Sequence, residues 1–424
     1  MSGKYDGMLA MQPGIGSEAR PLSGLKIIEV AIWHAGPSGT AALADLGAEV
    51  IKIEALTGDQ GRLTGKTGPL KTGARDTDSW TVLFDLSNRG KKGISVDLST
   101  ARGQDILRAL LKTADVFVTN LRQETKVALG IDYPSISAIN PGIIQVNVTG
   151  FGPKGEMAGR GAFDTLGQAM SGMMYNFGGE EPRPLSFIML DRFTGITTSH
   201  AILTGLVARQ LHGFGQEIDV SLLGSAMWLN QTNLVSSSTM QQNADTAWKR
   251  ERNLPLRNTL KASDGKWIVG TNYPEPACFP RFCVAIGVPE LVEDERFATI
   301  EGRLQNAAAL NATIDAIMLQ KTRDEWLEVL VDEHGLKFAP VLSFLEALNS
   351  DQVSANNYVQ EVDHPVLGRV RLPNHPARFG RSAQPCVNAA PVSVGQHTAE
   401  VLRQHAFSPE DIQELSDLGV VKVA

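Results

Sequence analysis

The chain lacks most of the features that would announce a purpose. It has 3 cysteines in 424 residues. Cys278, Cys283 and Cys386 have no second close pair and no histidine spacing that would complete a zinc site, so no metal is expected. They are read as reduced thiols of a cytoplasmic protein. No run reaches the roughly 18 to 20 apolar residues that cross a bilayer, so no membrane partner is expected. The first twenty residues lack the apolar core of a secretion signal, and residues 1–21 are expected to form an N-terminal tail. An excess of basic charge is missing too. The net charge is -7 and the pI about 5.7, which argues against nucleic acid, because phosphate backbones need a basic face. A local basic cluster could still hold a small phosphorylated ligand. Finally, Gly36-Pro37-Ser38-Gly39 does not match G-x-G-x-x-G, so the first strand-turn-helix is not a dinucleotide fingerprint.

What is present is an α/β pattern of ample length for more than one domain. Residues 25–31 (LKIIEVA) are β-rich, residues 38–46 are a helix-like run of Ala and Leu, and residues 49–54 (EVIKIE) alternate as a strand. Further strands are predicted at 93–96, 115–118 and 143–148, with a helix over 101–113 between them. Strands separated by helices imply a mainly parallel, doubly wound sheet, with ligands beyond the carboxyl ends of the strands. After a long helical stretch that follows Asp191, a Gly-rich turn leads to a strand over 217–221. From about Leu223 to residue 247 the chain turns polar and loses its pattern, which suggests a linker or an exposed wrapping segment. KASDGKWIVG, residues 261–270, reads as a hairpin turning at Asp264-Gly265. Helices follow to about Leu348, and a helical pair over 398–418 closes the chain.

One carboxylate stands apart. GRGAFDTLGQAMSG, residues 159–172, places Asp164 just before a run of small and apolar residues. By itself that is the setting of an N-cap, where a carboxylate accepts from free backbone N–H groups.

Several stretches, taken in order, resemble the family III CoA-transferases of the CaiB/BaiF superfamily, which also holds formyl-CoA transferases and the α-methylacyl-CoA racemases. They are Leu22 to Val30, Ala35-Gly36-Pro37, Ala44 to Glu54, Asn88 to Lys92, Asn120-Leu121, Thr149 to Gly152, Gly213 to Ser221 and Gly395-Gln396-His397-Thr398. The resemblance implies a Rossmann-like, doubly wound large domain over 22–222 and 345–424. It also implies a linker and an inserted smaller α+β domain over 223–344, and two chains interlocked as a homodimer. Asp164 falls where the family's transferases carry their nucleophilic aspartate. No tightly bound cofactor is implied. The partners are an acyl-CoA, a small carboxylic acid and a second copy of the chain.

Exchange of CoA between two acids is nearly balanced and needs neither metal nor ATP. It needs a group that holds the acyl unit while CoA is detached, and an ionised carboxylate attacks a thioester without a general base. His34 stands where several relatives have a glutamine beside the reacting centre. It could bond the thioester or simply fill the first βα turn. The resemblance places Ala35, Arg89, Lys91, Asn120, Leu121 and Gly150 in CoA-contacting stretches. For Arg89 and Lys91 a solvated loop charge is the other reading. Two arginines that bind CoA in some relatives are replaced by Ala55 and Ala128, which shifts the expected phosphate contacts toward Arg62 or Lys92. The run of glycines that covers the nucleophile in formyl-CoA transferases is absent, so the lid and the acids are left open. A racemase needs an acid and a base on opposite faces. Phe163 stands where the racemases carry a histidine, and Asp191, which aligns with their second acid, is equally read as a helix cap. A CoA-binding protein without transferase activity would not need Asp164.

Overall fold

The apolar runs of the N-terminal half become strands because both faces of the sheet are covered. The computed structural model describes residues 18–63, 80–176, 181–185, 188–244, 246 and 249–424. Up to residue 17, the expected tail lies outside them. β1 (Lys26–Val30), β2 (Glu49–Glu54), β3 (Lys92–Val96), β4 (Val116–Thr119), β5 (Ile144–Thr149) and β6 (Gln216–Ser221) form one parallel sheet. Their order is β3-β2-β1-β4-β5-β6, and a short strand, Val421–Lys422, pairs antiparallel with β3. Between them run α1 (Ala35–Asp45), α2 (Val82–Asn88), α3 (Ala101–Leu111), α4 (Gln123–Ala128), α5 (Tyr133–Ile139), α6 (Asp164–Met170) and α7 (Met189–His212). After β6 come α8 (Leu222–Leu229) and α9 (Gln231–Met240).

Successive side chains along a strand leave by opposite faces. Ile27, Val50 and Val116 join one core with Leu43 of α1 and Ile202 of α7. Their neighbours Ile28, Ile51 and Phe117 join the other with Ile106 of α3 and Val401 of the helix Thr398–Gln404. The strand order reverses between β1 and β4. The segment after β1 packs on one face, the segment after β4 (Leu121, Leu129) on the other. A crevice at the carboxyl ends of these two strands follows from that reversal.

The chain divides into two compact units. One comprises Met1–Met174, Pro182–Ala244 and Asn357–Ala424; the other comprises Tyr175–Glu181 and Asp245–Asn356. The second holds an antiparallel sheet of Thr259–Lys261, Trp267–Gly270 and Phe338–Val341. Its core is built on Phe279, Phe282, Ile314 and Trp326. Gly265, at φ +78°, turns the expected hairpin.

The division falls elsewhere than the sequence reading put it. Residues 223–244 belong to the first unit as α8 and α9, and residues 345–356 to the second. Leu222 and Ala226 bury one side of α8 against the α1 and α7 core. α9 buries none of its residues, and a helix with no apolar stripe leaves no periodic signal to read.

Candidate active site

Asp164 is the first residue of α6, after the N-cap Phe163. It is only 6% exposed, and its carboxylate does not cap its own helix. Oδ2 accepts from the backbone N–H of Asp191, at the start of α7, at 2.9 Å. Oδ1 accepts from the side-chain amide of Gln168, one helical turn on. That amide is fixed at its other end, where Gln168 Oε1 accepts from the Leu185 N–H at 2.7 Å. The spacing of 4 brings the two side chains to one face of α6. Close packing then aims the pair: a Cβ on Gly167 would come within 2.7 Å of Leu190 Cδ2 and 3.0 Å of Leu222 Cβ. Upstream, Gly150 at the end of β5 lets Ala162 approach, for a Cβ there would lie 2.3 Å from that of Ala162.

The turn after β1 meets this segment through an edge-to-face pair, Trp33 on Phe163, with centroids 5.3 Å apart. Trp33 holds φ at +65°, a strained region for a bulky residue. Its N–H donates to Asp59 Oδ1 at 3.1 Å, which also takes the Gly61 N–H at 2.8 Å. Lys52 Nζ, wholly buried, anchors Asp59 Oδ2 at 2.9 Å and Glu29 at 3.0 Å. On the other side Asn120, just past β4, brackets Ile32, donating to its carbonyl at 2.6 Å and accepting its N–H at 3.0 Å. The turn is therefore clamped from β2 and from β4.

His34 follows Trp33 as the N-cap of α1 and is 4% exposed. Nδ1 meets Ser87 Oγ at 2.9 Å; Nε2 is buried without a partner. Burial, then the charge of Arg192, pushes its pKa down to about 4, so the ring is neutral near pH 7. Across the site, burial and the neighbouring Asp164 push the Asp191 carboxyl up to about 7.

The expected CoA contacts separate into two groups. Ala35, Asn120, Leu121 and Gly150 all lie just past the carboxyl ends of β1, β4 and β5. Arg89 and Lys91 do not present free charge there. Lys91 Nζ is buried and donates to both Glu29 oxygens (3.1 and 2.9 Å), the Pro37 carbonyl (2.9 Å) and Asn88 Oδ1 (2.9 Å). An ammonium has three protons, so none is left for a phosphate. Arg89 donates to Asp45 at the far end of α1 (2.5 Å) and to the Pro373 carbonyl (2.9 Å). The proposed substitutes are committed as well. Arg62 forks onto Glu54 at 2.7 Å twice, and Lys92 pairs with Glu49 (2.9 Å) and Glu400 (3.0 Å).

The sequence reading passed over three residues. Gln168 was detectable from its spacing to Asp164. Arg192, discussed below, was visible as a cation in the first turn of a helix, where the dipole disfavours one. Arg122 is exposed at the start of α4, directly after Asn120-Leu121, and its Nη2 lies 3.2 Å from where a Cβ of Gly161 would sit. It carries charge to the lip of the crevice.

Residues 22–398 match the family described as CoA-transferase family III. The (R)-2-hydroxy-4-methylpentanoate CoA-transferase of Clostridioides difficile is 32% identical over 95% of this chain and 99% of its own length. The mouse (Mus musculus) succinyl-CoA:glutarate CoA-transferase is 31% identical over 95% and 91% respectively. The crystal structure of a CAIB/BAIF family protein from Brucella suis superposes with a TM-score of 0.79 at 30% identity, over 92% of this chain and all of that one. The parallel sheet of the same architecture agrees with these matches: the chain belongs to CoA-transferase family III and is a CoA-transferase.

Proposed function

We propose that the enzyme moves CoA between an acyl-CoA and a small carboxylic acid through covalent intermediates on Asp164. An Asp164 oxygen adds to the thioester carbonyl and the CoA thiolate leaves, forming a mixed anhydride. The thiolate then adds to the aspartyl carbonyl, the first acid departs as its carboxylate, and Asp164 carries CoA as a thioester. The incoming carboxylate repeats these steps in reverse, receives CoA and restores Asp164. The observation that carries this reading is the burial of the carboxylate under two defined donors, one per oxygen. Each donor fixes the direction of attack, and burial keeps water from the anhydride.

The turns bearing His34-Ala35, Asn120-Leu121 and Gly150 form the CoA crevice. His34 Nε2 faces the reacting group, and Arg122 contributes charge for the phosphates, while Arg89 and Lys91 brace α1 from within. The relatives named above act, by their names, on a branched 2-hydroxy acid and on dicarboxylic acids, which supports a small carboxylate as the acceptor. The second unit is read as the inserted domain, and two chains as an interlocked homodimer. Exposed apolar side chains on α7, α8 and α9 support that assembly. Among the described residues no helix is long and apolar enough to cross a membrane, and Cys278, Cys283 and Cys386 are unpaired, which suits the reducing cytoplasm.

Incubation with an acyl-CoA followed by hydroxylamine tests the mechanism. A thioester on Asp164 would be converted to an aspartyl hydroxamate on the peptide containing residue 164; an unmodified peptide in an enzyme that still turns over would refute it.

A further inference from the structure

The first turn of α7 breaks a local rule. Helix N-termini repel cations, yet Arg192 is the fourth residue of α7 and its guanidinium turns inward. Nη1 donates to Ser38 Oγ (3.1 Å) and the Leu86 carbonyl (3.0 Å). Nη2 is buried and has no acceptor. His34 repeats the pattern, with Nδ1 on Ser87 and Nε2 unpartnered.

The two groups are neighbours. Consecutive residues of α2, Leu86 and Ser87, hold one each. Ser38, which takes the Arg192 hydrogen bond, gives its own to the His34 carbonyl at 2.5 Å. Each also stands next in sequence to a residue that contacts Asp164 or its neighbour Phe163. Asp191, adjacent to Arg192, donates its N–H to Asp164, and Trp33, adjacent to His34, touches Phe163. Buried polar atoms are nearly always satisfied, and chains keep such conflicts chiefly at functional sites.

We propose that Arg192 Nη2 and His34 Nε2 together recognise the acid, and that the acid carries a hydroxyl on the carbon next to its carboxylate. The inference rests on the role of Asp164 given above. A guanidinium N–H is the matched partner of a carboxylate. A neutral imidazole nitrogen is not, whereas an alcohol both donates and accepts and so suits either tautomer. One cation beside one neutral nitrogen therefore fits a 2-hydroxy carboxylate. A dicarboxylate would bring its second charge to a nitrogen that cannot balance it. Neither atom is open to bulk water, which suits a site that shields an anhydride.

The test uses the full chain, acetyl-CoA and butyryl-CoA as donors, and acceptors matched but for the hydroxyl: lactate against propionate, and 2-hydroxy-4-methylpentanoate against 4-methylpentanoate, with succinate and glutarate alongside. The expected result is a kcat/KM for each hydroxy acid about tenfold or more above its partner. His34→Ala should erase that gap by slowing each hydroxy acid about tenfold more than its partner lacking the hydroxyl. Arg192→Lys should raise KM for every acceptor by about tenfold, since a point charge cannot replace the fork, while KM for the donor stays within about twofold. Equal rates within each pair, a preference for succinate or glutarate, or an Arg192→Lys effect falling equally on donor and acceptor would overturn the proposal. The wild-type comparison decides even if a variant is unstable. Hydroxylamine trapping separates the two readings: an adduct at residue 164 with no hydroxy-acid preference removes the acid subsite alone, and no adduct with either donor removes the Asp164 mechanism as well.

Discussion

Asp164 is useful because of what fixes it. A carboxylate with one donor on each oxygen keeps its remaining lone pairs in known directions. Asp164→Asn should lower kcat on the order of 10⁴-fold, measured as CoA transfer under saturating substrates. Gln168→Ala should lower it about tenfold with KM little changed, because only orientation is lost. Asp59 acts at one remove, holding the strained Trp33 turn through its Oδ1. Asp191 makes a pH-dependent prediction. Its carboxyl is raised from an unfolded value near 3.8 to about 7. Between those values the folded state holds the extra proton, so its contribution to stability declines as pH rises through that window. Asp191→Asn keeps the N–H to Asp164 but no longer titrates. Relative to wild type, its melting temperature should be higher at pH 8 than at pH 5, and an equal difference at both values would contradict the assignment.

At the scale of elements, the site depends on how closely α1 and α7 cross. A Cβ on Gly195 would lie 2.6 Å from Ser38 Cβ and 3.1 Å from the Gly39 N, and Ser38 is the residue that anchors Arg192. Gly195→Ala should therefore destabilise the protein by about 1–3 kcal/mol, the usual cost of overpacking, and lower kcat as well, checked by denaturant melts and transfer kinetics. The strands and the first helix could be read from apolar runs, since a sheet covered on both faces asks for continuous Val, Ile and Leu. α8 and α9 could not. The Asn, Ser and Gln of α9 resemble a loop, and the apolar α8 is too short to show a period, its register set by Leu222 and Ala226 in the α1 and α7 core.

At the scale of the whole molecule, exposed apolar side chains need an account. Trp228 is 69% exposed and Val235 64%, on consecutive helices α8 and α9, with Leu211 and Phe214 also exposed. Such residues are usual at subunit interfaces. Sedimentation equilibrium should give twice the 45.7 kDa chain mass, and Trp228→Glu with Val235→Glu should shift the protein to monomer. A wild-type monomer would leave that surface unexplained and the interlocked assembly wrong.

The sequence alone determined the alternation of strands and helices, the glycines that permit close approach, and the lone aspartate with a glutamine one turn away, because each is encoded within a few residues. Which cations are free to meet a ligand was decided only by the tertiary structure. Lys91 is neutralised by Glu29 from 62 residues away, and Arg192 is held by Ser38 from 154 residues away. Charge pairing acts through space, and local pattern does not record which distant carboxylate will fold against a given lysine or arginine.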